Sequence, residues 1–265
     1  MKQILNSNTN PNWPEIIIYY NRPVELFVDS ILNYTHNNSY KILWVKEGDE
    51  ISNFKNYVLA NYHLFDAILT YDNEILEKCS NSHFMAFGTS WIQDYNFSNE
   101  KLFQISHLTG HKRMTRGHII RQEIHNQQNS INNPIDFYIS QHGGVSNQYN
   151  NKILGESKNV LFNSQFHICI ENSKQNGFFT EKIIDCLITK TIPIYWGCDN
   201  IGDFFNTKGF FIANDTIDII NICNSITENT YLSKLEFITE NYNKGICYST
   251  LLDRLQETIT KILKN

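Results

Sequence analysis

The chain of 265 residues has little charge and no long hydrophobic run. Only 18% of its residues are charged, against about a quarter in typical soluble proteins. The net charge of -5 argues against a dedicated nucleic-acid binder, which would carry a basic stripe. No apolar run approaches the roughly 20 residues that cross a bilayer. The sequence therefore predicts a globular protein with no nucleic-acid partner and no transmembrane segment.

The cysteines show neither a pairing motif nor the spacing of metal ligands. Several stand inside apolar runs, as Cys169 does in Phe-His-Ile-Cys-Ile, where a buried free thiol is the ordinary outcome. The six cysteines are Cys79, Cys169, Cys186, Cys198, Cys223 and Cys247. The first residues contain no apolar core and no small-residue cleavage site. We therefore expect a reduced protein located in the cytoplasm.

What the chain does contain is a regular alternation of short apolar runs with helical patterns, typical of βαβ folds. In the first part, strands are predicted at 16–20, 41–45, 67–70 and 84–87, and helices at 23–34 and 73–78. After a polar linker at 94–99, strands are predicted at 102–108, 136–140, 165–171, 192–196 and 210–213, and helices at 115–127, 180–189, 217–226, 232–241 and 250–263. The prediction is an α/β protein with two Rossmann-like domains, residues 1–98 and 99–265, that face a central cleft.

The most informative segment is 166–197, which reads as strand, polar loop, helix, turn and strand. In open α/β sheets, ligands bind outside the carboxyl ends of the strands. Three polar residues, Glu171, Asn172 and Ser173, stand at such an end. This loop is therefore a candidate ligand site.

The helix after this loop begins with a charged pair. Glu181 and Lys182 lie in its first turn, where free amide groups attract phosphate. The lysine can neutralise a phosphate, and the glutamate can accept hydrogen bonds from ribose hydroxyls. The apolar stripe of the helix predicts that this pair and Asp185 lie on or near its exposed side. The residues alone also fit an ordinary solvated ion pair on a surface helix, and both interpretations stay open.

The segment strongly resembles the signature of the α-1,3-fucosyltransferases (glycosyltransferase family 10), especially of short bacterial members. The family pattern is approximately F-x-x-x-x-E-N-[ST]-x-x-x-x-Y-x-T-E-K, followed by a helix and by P-[IV]-Y-x-G. The matching positions are Phe166, Glu171, Asn172, Ser173, Thr180, Glu181, Lys182, Pro193, Tyr195 and Gly197. So many matches at fixed spacing over about 30 residues form a specific signal.

The resemblance implies a GT-B fold, with a glycan acceptor on the first domain and GDP-fucose on the second. It implies an inverting, metal-independent transfer of fucose from GDP-fucose to a glycan hydroxyl. The family positions that contact the donor correspond to Asn172, Glu181 and Lys182. Phe178 stands where the family usually has tyrosine, and we expect it to form an aromatic wall of the donor site without the hydroxyl.

The family also carries an arginine that holds the donor diphosphate, on a helix after an earlier strand. Here that helix is predicted at 115–127, and Arg121 is the first candidate. Arg116 competes with it, and Lys112 and Arg113 belong to the same basic cluster. We prefer arginine to lysine because the planar guanidinium makes bidentate phosphate contacts. A solvated basic loop is the alternative for two or three of these four residues.

An inverting transfer needs a carboxylate that takes the proton from the acceptor hydroxyl. Three acids, Glu47, Asp49 and Glu50, follow the predicted strand 41–45. Crowded carboxylates suit this task because their mutual repulsion makes one of them a stronger base. The family has a glutamate directly after this strand, so Glu47 is assigned as the base, with Asp49 or Glu50 in reserve. An acidic turn without a catalytic role is the competing interpretation.

No metal site is expected. The sequence has no DxD pair of the kind that chelates a divalent ion through a sugar nucleotide, and His107 and His111 straddle a predicted strand end rather than share a helical face. GDP-fucose is then the one small molecule required, and any divalent cation would be non-essential. Two alternatives stay open: a transferase of this fold that uses another GDP-sugar, and an inactive relative that only binds nucleotide or glycan. The acceptor and the oligomeric state are not predicted.

Overall fold

A computed structural model describes residues 2–5, 16–29, 38–92, 101–141 and 149–264. By its internal contacts the chain divides into two compact units. The first unit consists of Met1–Phe87, Asn176–Phe178 and Thr250–Asn265, and the second unit consists of Gly88–Gln175 and Phe179–Ser249. Each unit has its own parallel sheet, so the two Rossmann-like units predicted from the sequence are confirmed.

Most of the predicted strands and helices are present. The strands are β1 (Lys2–Leu5), β2 (Ile16–Tyr19), β3 (Val24–Val28), β4 (Tyr40–Val45), β5 (Ala67–Thr70), β6 (Ser82–Phe84), β7 (Leu102–Thr109), β8 (Ile135–Ile139), β9 (Lys152–Ile153), β10 (Ser164–Ile170), β11 (Ile192–Trp196) and β12 (Phe211–Ile212). The helices are α1 (Asp49–Ser52), α2 (Lys55–Asn61), α3 (Asn73–Lys78), α4 (Arg116–Asn126), α5 (Glu181–Ile188), α6 (Thr216–Ser225), α7 (Glu228–Leu232), α8 (Leu235–Ser249) and α9 (Leu251–Ile262). The strand predicted at 84–87 lies at Ser82–Phe84, and β1, β9, α1, α2 and α7 were not predicted.

One helix prediction in the first unit is wrong. Where the sequence predicted a helix at 23–34, Val24–Val28 forms strand β3, in parallel register with β4. Leu26, Phe27 and Val28 are consecutive and all buried, because a parallel sheet is covered on both faces. Residues 30–34 of the predicted helix lie outside the described residues.

The first unit carries β3, β4, β5 and β6 as a parallel sheet in that order, and β1 and β2 as an antiparallel pair. Alternate residues of β4 serve two core clusters: Ile42 and Trp44 belong to one, and Leu43 and Val45 to the other. Helix α9 fills the first of these clusters with the fully buried Leu255 and Ile259. The last predicted helix is therefore confirmed, and it completes the core of the first unit.

The predicted boundary between residues 98 and 99, like the linker at 94–99, lies outside the described residues. After this boundary, two segments of the chain belong again to the first unit, Asn176–Phe178 and Thr250–Asn265. The sequence prediction, with one passage from the first domain to the second, did not include these returns.

The second unit has a parallel sheet whose described strands run in the order β12-β11-β10-β7-β8-β9. Counted along this unit, that is the order 6-5-4-1-2-3 of doubly wound nucleotide-binding sheets. The strand order reverses between β7 and β10, which are hydrogen-bonded neighbours. Ligands of such sheets bind at this switch point, outside the carboxyl ends of the strands.

Candidate functional site

A cavity of about 970 Å³ lies within the second unit at the switch point. It is lined by residues that follow β7, β8 and β10, by the segment before β10, and by α4 and α5. Of the predicted donor residues, it brings together Arg121, Asn172, Glu181 and Lys182. The site therefore gathers, from separate stretches of chain, most of the residues singled out in the sequence.

Glu171, directly after β10, fixes the start of α5. Its buried carboxylate accepts hydrogen bonds from the backbone N–H of Thr180 (2.9 Å) and from the hydroxyl of Thr180 (2.7 Å). Glu171 belongs to the sequence motif, but its position there predicted no specific role. The motif glycine has a role here too, since a Cβ on Gly197 would lie 2.6 Å from Cγ of Glu171 and 2.5 Å from the hydroxyl of Tyr195.

Glu181 opens α5 and is buried, not exposed as predicted. Its Oε1 lies 3.1 Å from the Lys182 ammonium and 3.8 Å from that of Lys158. Burial alone would raise the pKa of Glu181, but these two cations, with hydrogen bonds from Lys182 and Thr180, lower it to about 2. The carboxylate is therefore ionised and can accept hydrogen bonds from a ligand.

The exposure predicted for Asp185 is wrong as well, since Asp185 is also buried. The reason is that a segment distant in sequence covers this side of α5. Ser90 and the backbone N–H of Trp91 both donate to the Asp185 carboxylate. An amphipathic stripe in the sequence shows one buried face and gives no sign of this second neighbour.

Lys182 lies among acceptors at the start of α5. Its ammonium donates to the Thr180 hydroxyl (2.8 Å) and lies 3.4 Å from Oε2 of Glu171. Burial disfavours the charge, but the carboxylates of Glu181 and Glu171 hold the pKa of Lys182 above its ordinary value. The site thus keeps a fixed positive charge beside the first turn of α5, whose free amides favour anions.

Arg121, on α4, brings a second positive charge to the cavity. Its Nη2 donates to the backbone carbonyl of Ile170 (2.6 Å) and to Oδ1 of Asn172 (2.9 Å). Burial lowers the pKa of Arg121, although a guanidinium stays protonated at any physiological pH. Held at the end of β10, it can receive an anion together with Lys182.

The other members of the basic cluster differ in whether they line the cavity. Lys112 lines the cavity with Arg121, whereas Arg116 and Arg113 do not. The side chain of Arg116 is 48% exposed and pairs with Glu123 (2.9 Å). Arg113 donates to Gln122 (3.4 Å). The geometry therefore favours Arg121 over Arg116 at this site.

Phe178 does not line the cavity, although the resemblance implied an aromatic wall there. It is buried in the first unit, with its ring centroid 5.2 Å from that of Tyr71. The preceding Gly177 has φ of +73°, and a Cβ on it would lie 2.7 Å from the carbonyl oxygen of Tyr71. Phe178 therefore packs within the first unit, and its part in donor binding stays a prediction.

Glu47, the predicted base, lies in the first unit directly after β4. Its side chain is partly exposed, with Oε1 3.7 Å from the ammonium of Lys46. The hydroxyl of Tyr71 donates to the carbonyl oxygen of Glu47 (3.0 Å). Asp49, an alternative base, instead opens α1 and pairs with Lys55 (2.9 Å). Glu50, the other alternative, is also in α1.

Sequence reasoning missed Asp29, which supports this turn. Its Oδ1 accepts from the backbone N–H groups of Lys46 (2.8 Å) and Glu47 (3.4 Å). Burial raises the pKa of Asp29 to about 6, although these two amides lower it. The residue directly follows β3, the strand mistaken for a helix, and a correct strand prediction would have placed it beside Glu47 at the carboxyl edge of the sheet.

Within the described ranges, no three His, Cys, Asp or Glu side chains are grouped so as to hold a metal ion. Metal independence remains a prediction. Among the helices of the same ranges, none is both long and apolar enough to span a bilayer.

Solved structures share this fold. A crystal structure of an α1,3-fucosyltransferase with GDP-fucose superposes with a TM-score of 0.56 and 18% identity, over 97% of this chain and 80% of that one. The structure of TarM gives a TM-score of 0.62 at 14% identity, over 91% of this chain and 55% of that one. The fold is that of the GT-B glycosyltransferases, which confirms the predicted fold class.

The sequence specifies the family within this class. The family model described as "Glycosyltransferase family 10 (fucosyltransferase) C-term" matches residues 102–244. The chain belongs to this family. It is also 34% identical, over 99 residues, to the α-(1,3)-fucosyltransferase FucT of Helicobacter pylori. That match covers 35% of this chain and 20% of the relative, so the chain corresponds to about a fifth of the relative's length.

Proposed function

We propose that this protein is an inverting, metal-independent fucosyltransferase that moves fucose from GDP-fucose to a glycan hydroxyl with α-1,3-type specificity. The observation that carries the proposal is the pairing of Arg121 and Lys182 with the ionised Glu181 in one cavity of a family 10 chain. Two cations suit a diphosphate, and the carboxylate suits the hydroxyls of a ribose.

The donor diphosphate is assigned to Arg121 and Lys182, next to the first turn of α5. Its developing negative charge as GDP leaves is stabilised by these cations, which take the part that a metal ion plays in other transferases. Asn172 fixes Arg121 through its amide oxygen (2.9 Å). Glu181 accepts hydrogen bonds from the ribose.

Glu47 is assigned as the base. As the acceptor oxygen forms a bond to C1 of fucose, its proton passes to the Glu47 carboxylate. The bond from C1 to the phosphate oxygen breaks, and its electron pair leaves with GDP. Attack opposite the leaving group inverts the configuration at C1. A location in the cytoplasm is the sequence prediction that goes with this function.

The experiment combines calorimetry and a transfer assay. We expect the wild type to bind GDP and GDP-fucose more tightly than UDP, and to use GDP-fucose rather than GDP-mannose. Glu47→Gln should abolish transfer and keep GDP binding, while the exposed Glu77→Gln on α3 should keep both. Turnover only with GDP-mannose would instead identify another GDP-sugar transferase. GDP binding without any turnover would identify an inactive relative.

A further inference from the structure

Within the described ranges, one carboxylate oxygen of Asp185 has no hydrogen-bond partner. The residue lines the cavity and is 1% exposed. Its Oδ1 accepts from the hydroxyl of Ser90 (2.9 Å) and from the backbone N–H of Trp91 (2.9 Å). Its Oδ2 is buried and has no hydrogen-bond partner among the described residues. An unpaired buried acceptor costs free energy. A ligand that donates a hydrogen bond to Oδ2 would therefore be stabilised at this position.

The surroundings of Asp185 make this acceptor unusual. Burial raises the pKa of Asp185 to about 7, although the charge of Lys158 and the N–H of Trp91 lower it. The ammonium of Lys158 does not fill the gap: it lies 3.9 Å from the centroid of the Trp91 ring and 3.8 Å from Oε1 of Glu181. A ligand that brings an N–H donor to Oδ2 would stabilise the ionised form.

The position along α5 indicates which part of a ligand this is. Asp185 stands four residues after Glu181, which is about 6 Å along the helix axis and on the same side. In the proposed function the phosphates lie by Lys182 at the helix start, and the ribose lies by Glu181. The ribose carries the phosphates on one side and the base on the other, so the group left to reach Asp185 is the base. Trp91, 61% exposed, lines the cavity at the same place.

The chemistry of the bases favours one of them. Guanine carries two adjacent donors, N1–H and the N2 amino group, on one edge, so both can face a carboxylate. Uracil has a single N3–H between two carbonyl oxygens, which a carboxylate repels. Adenine and cytosine each present one amino group beside a ring nitrogen that is an acceptor.

We propose that Asp185 Oδ2 accepts a hydrogen bond from the N1–H/N2–H₂ edge of guanine and so selects guanine nucleotides in this cavity. The proposal rests on the proposed use of a GDP-sugar and adds a residue that determines its specificity. Ser90 and Trp91 are positioning residues, because they hold Oδ1 and leave Oδ2 for the ligand.

The test exchanges the hydrogen-bonding character of this one atom. In Asp185→Asn, Oδ1 can still accept from Ser90 and Trp91, so the amide nitrogen replaces Oδ2 and becomes a donor. Xanthosine diphosphate (XDP) has a carbonyl oxygen where guanine has the N2 amino group. By calorimetry we expect the wild type to prefer GDP over XDP, and D185N to reverse that preference, with GDP affinity lowered at least about tenfold. The exposed Asp253→Asn is the matched control and should bind as the wild type does.

A second measurement needs no variant. Inosine diphosphate (IDP) lacks only the N2 amino group, and we expect the wild type to bind it more weakly than GDP. Equal binding of GDP, IDP and XDP by the wild type would overturn the proposal, as would an equal loss of GDP and XDP affinity in D185N. In either case GDP binding with fucose transfer would leave the proposed function standing. A wild type that binds UDP and no guanine nucleotide would overturn both.

Discussion

Glu171 and Thr180, nine residues apart, join the end of strand β10 to the start of helix α5. One carboxylate receives both the backbone N–H and the hydroxyl of the residue that caps the helix. The placement of Glu181 and Lys182, one and two positions later, depends on this pair.

Replacing Glu171 by glutamine should therefore destabilise the protein. The amide would put an NH₂ group opposite one of two donors, and we expect a loss of about 1–3 kcal/mol in the free energy of unfolding. Urea unfolding measures it. Thr180→Ser keeps both donors and is the control, so a loss in T180S as large as that in E171Q would contradict this account.

Arg121 and Arg116 give a direct comparison of two arginines on one helix. Loss of a charge-assisted contact costs about 1.5–3 kcal/mol, so we expect Arg121→Ala to weaken GDP binding roughly 10- to 150-fold. Arg116→Ala removes a half-exposed ion pair and should change the affinity less than about threefold. Calorimetric titration with GDP decides, and the reverse order would move the diphosphate site to Arg116.

The raised pKa of Asp185 predicts how the stability of the ligand-free protein changes with pH. Between its ordinary value of 3.8 and about 7, the folded protein holds a proton that the unfolded chain has released. The stability contributed by this group is thus present below pH 3.8 and is lost as the pH rises to about 7, by up to roughly 4 kcal/mol.

Asp185→Asn isolates this effect, because the other titrating groups are common to both proteins. The free energy of unfolding of the wild type minus that of D185N should fall as the pH rises from 4 to 8. Urea unfolding at several pH values measures the difference. A difference that stays constant would show that the pKa of Asp185 is at its ordinary value, and one that rises with pH would show that the pKa is lowered; either would contradict the expectation.

Close packing requires a glycine at position 197 but not at position 155. A Cβ on Gly197 would lie 2.5 Å from the Tyr195 hydroxyl and 2.6 Å from Cγ of Glu171, whereas a Cβ on Gly155 meets no heavy atom of the described residues within 4 Å. Gly197→Ala should cost about 1–3 kcal/mol of stability, and Gly155→Ala should be neutral or slightly stabilising. Thermal unfolding checks both, and equal effects would contradict the close approach.

Metal removal tests the role given to Arg121 and Lys182. If they neutralise the leaving diphosphate, EDTA should leave the rate of fucose transfer unchanged. A loss of rate that manganese restores would show that a divalent ion carries part of this charge.

Strand β3 and helix α5 show which features could be predicted from the sequence and which could not. The motif residues Asn172, Glu181 and Lys182 were found from sequence and do share a cavity. The run ending at Val28 was misassigned because an apolar segment buried on both faces has no alternation to distinguish strand from helix. Because of this error, Asp29 was not predicted as a neighbour of Glu47. The burial of Asp185 comes with its contacts to Ser90 and Trp91, neighbours that the local pattern of α5 cannot reveal.

The first unit includes Thr250–Asn265, which is synthesised after the second unit. Leu255 and Ile259 fill a core cluster whose other buried members, apart from Leu251 of the same helix, lie between Leu5 and Met85. A ribosome delivers them only after every residue of the second unit has been made. The unit that is begun first is therefore completed last, and until then its sheet exposes an uncovered apolar face. While the chain is being made, this half depends most on protection from aggregation.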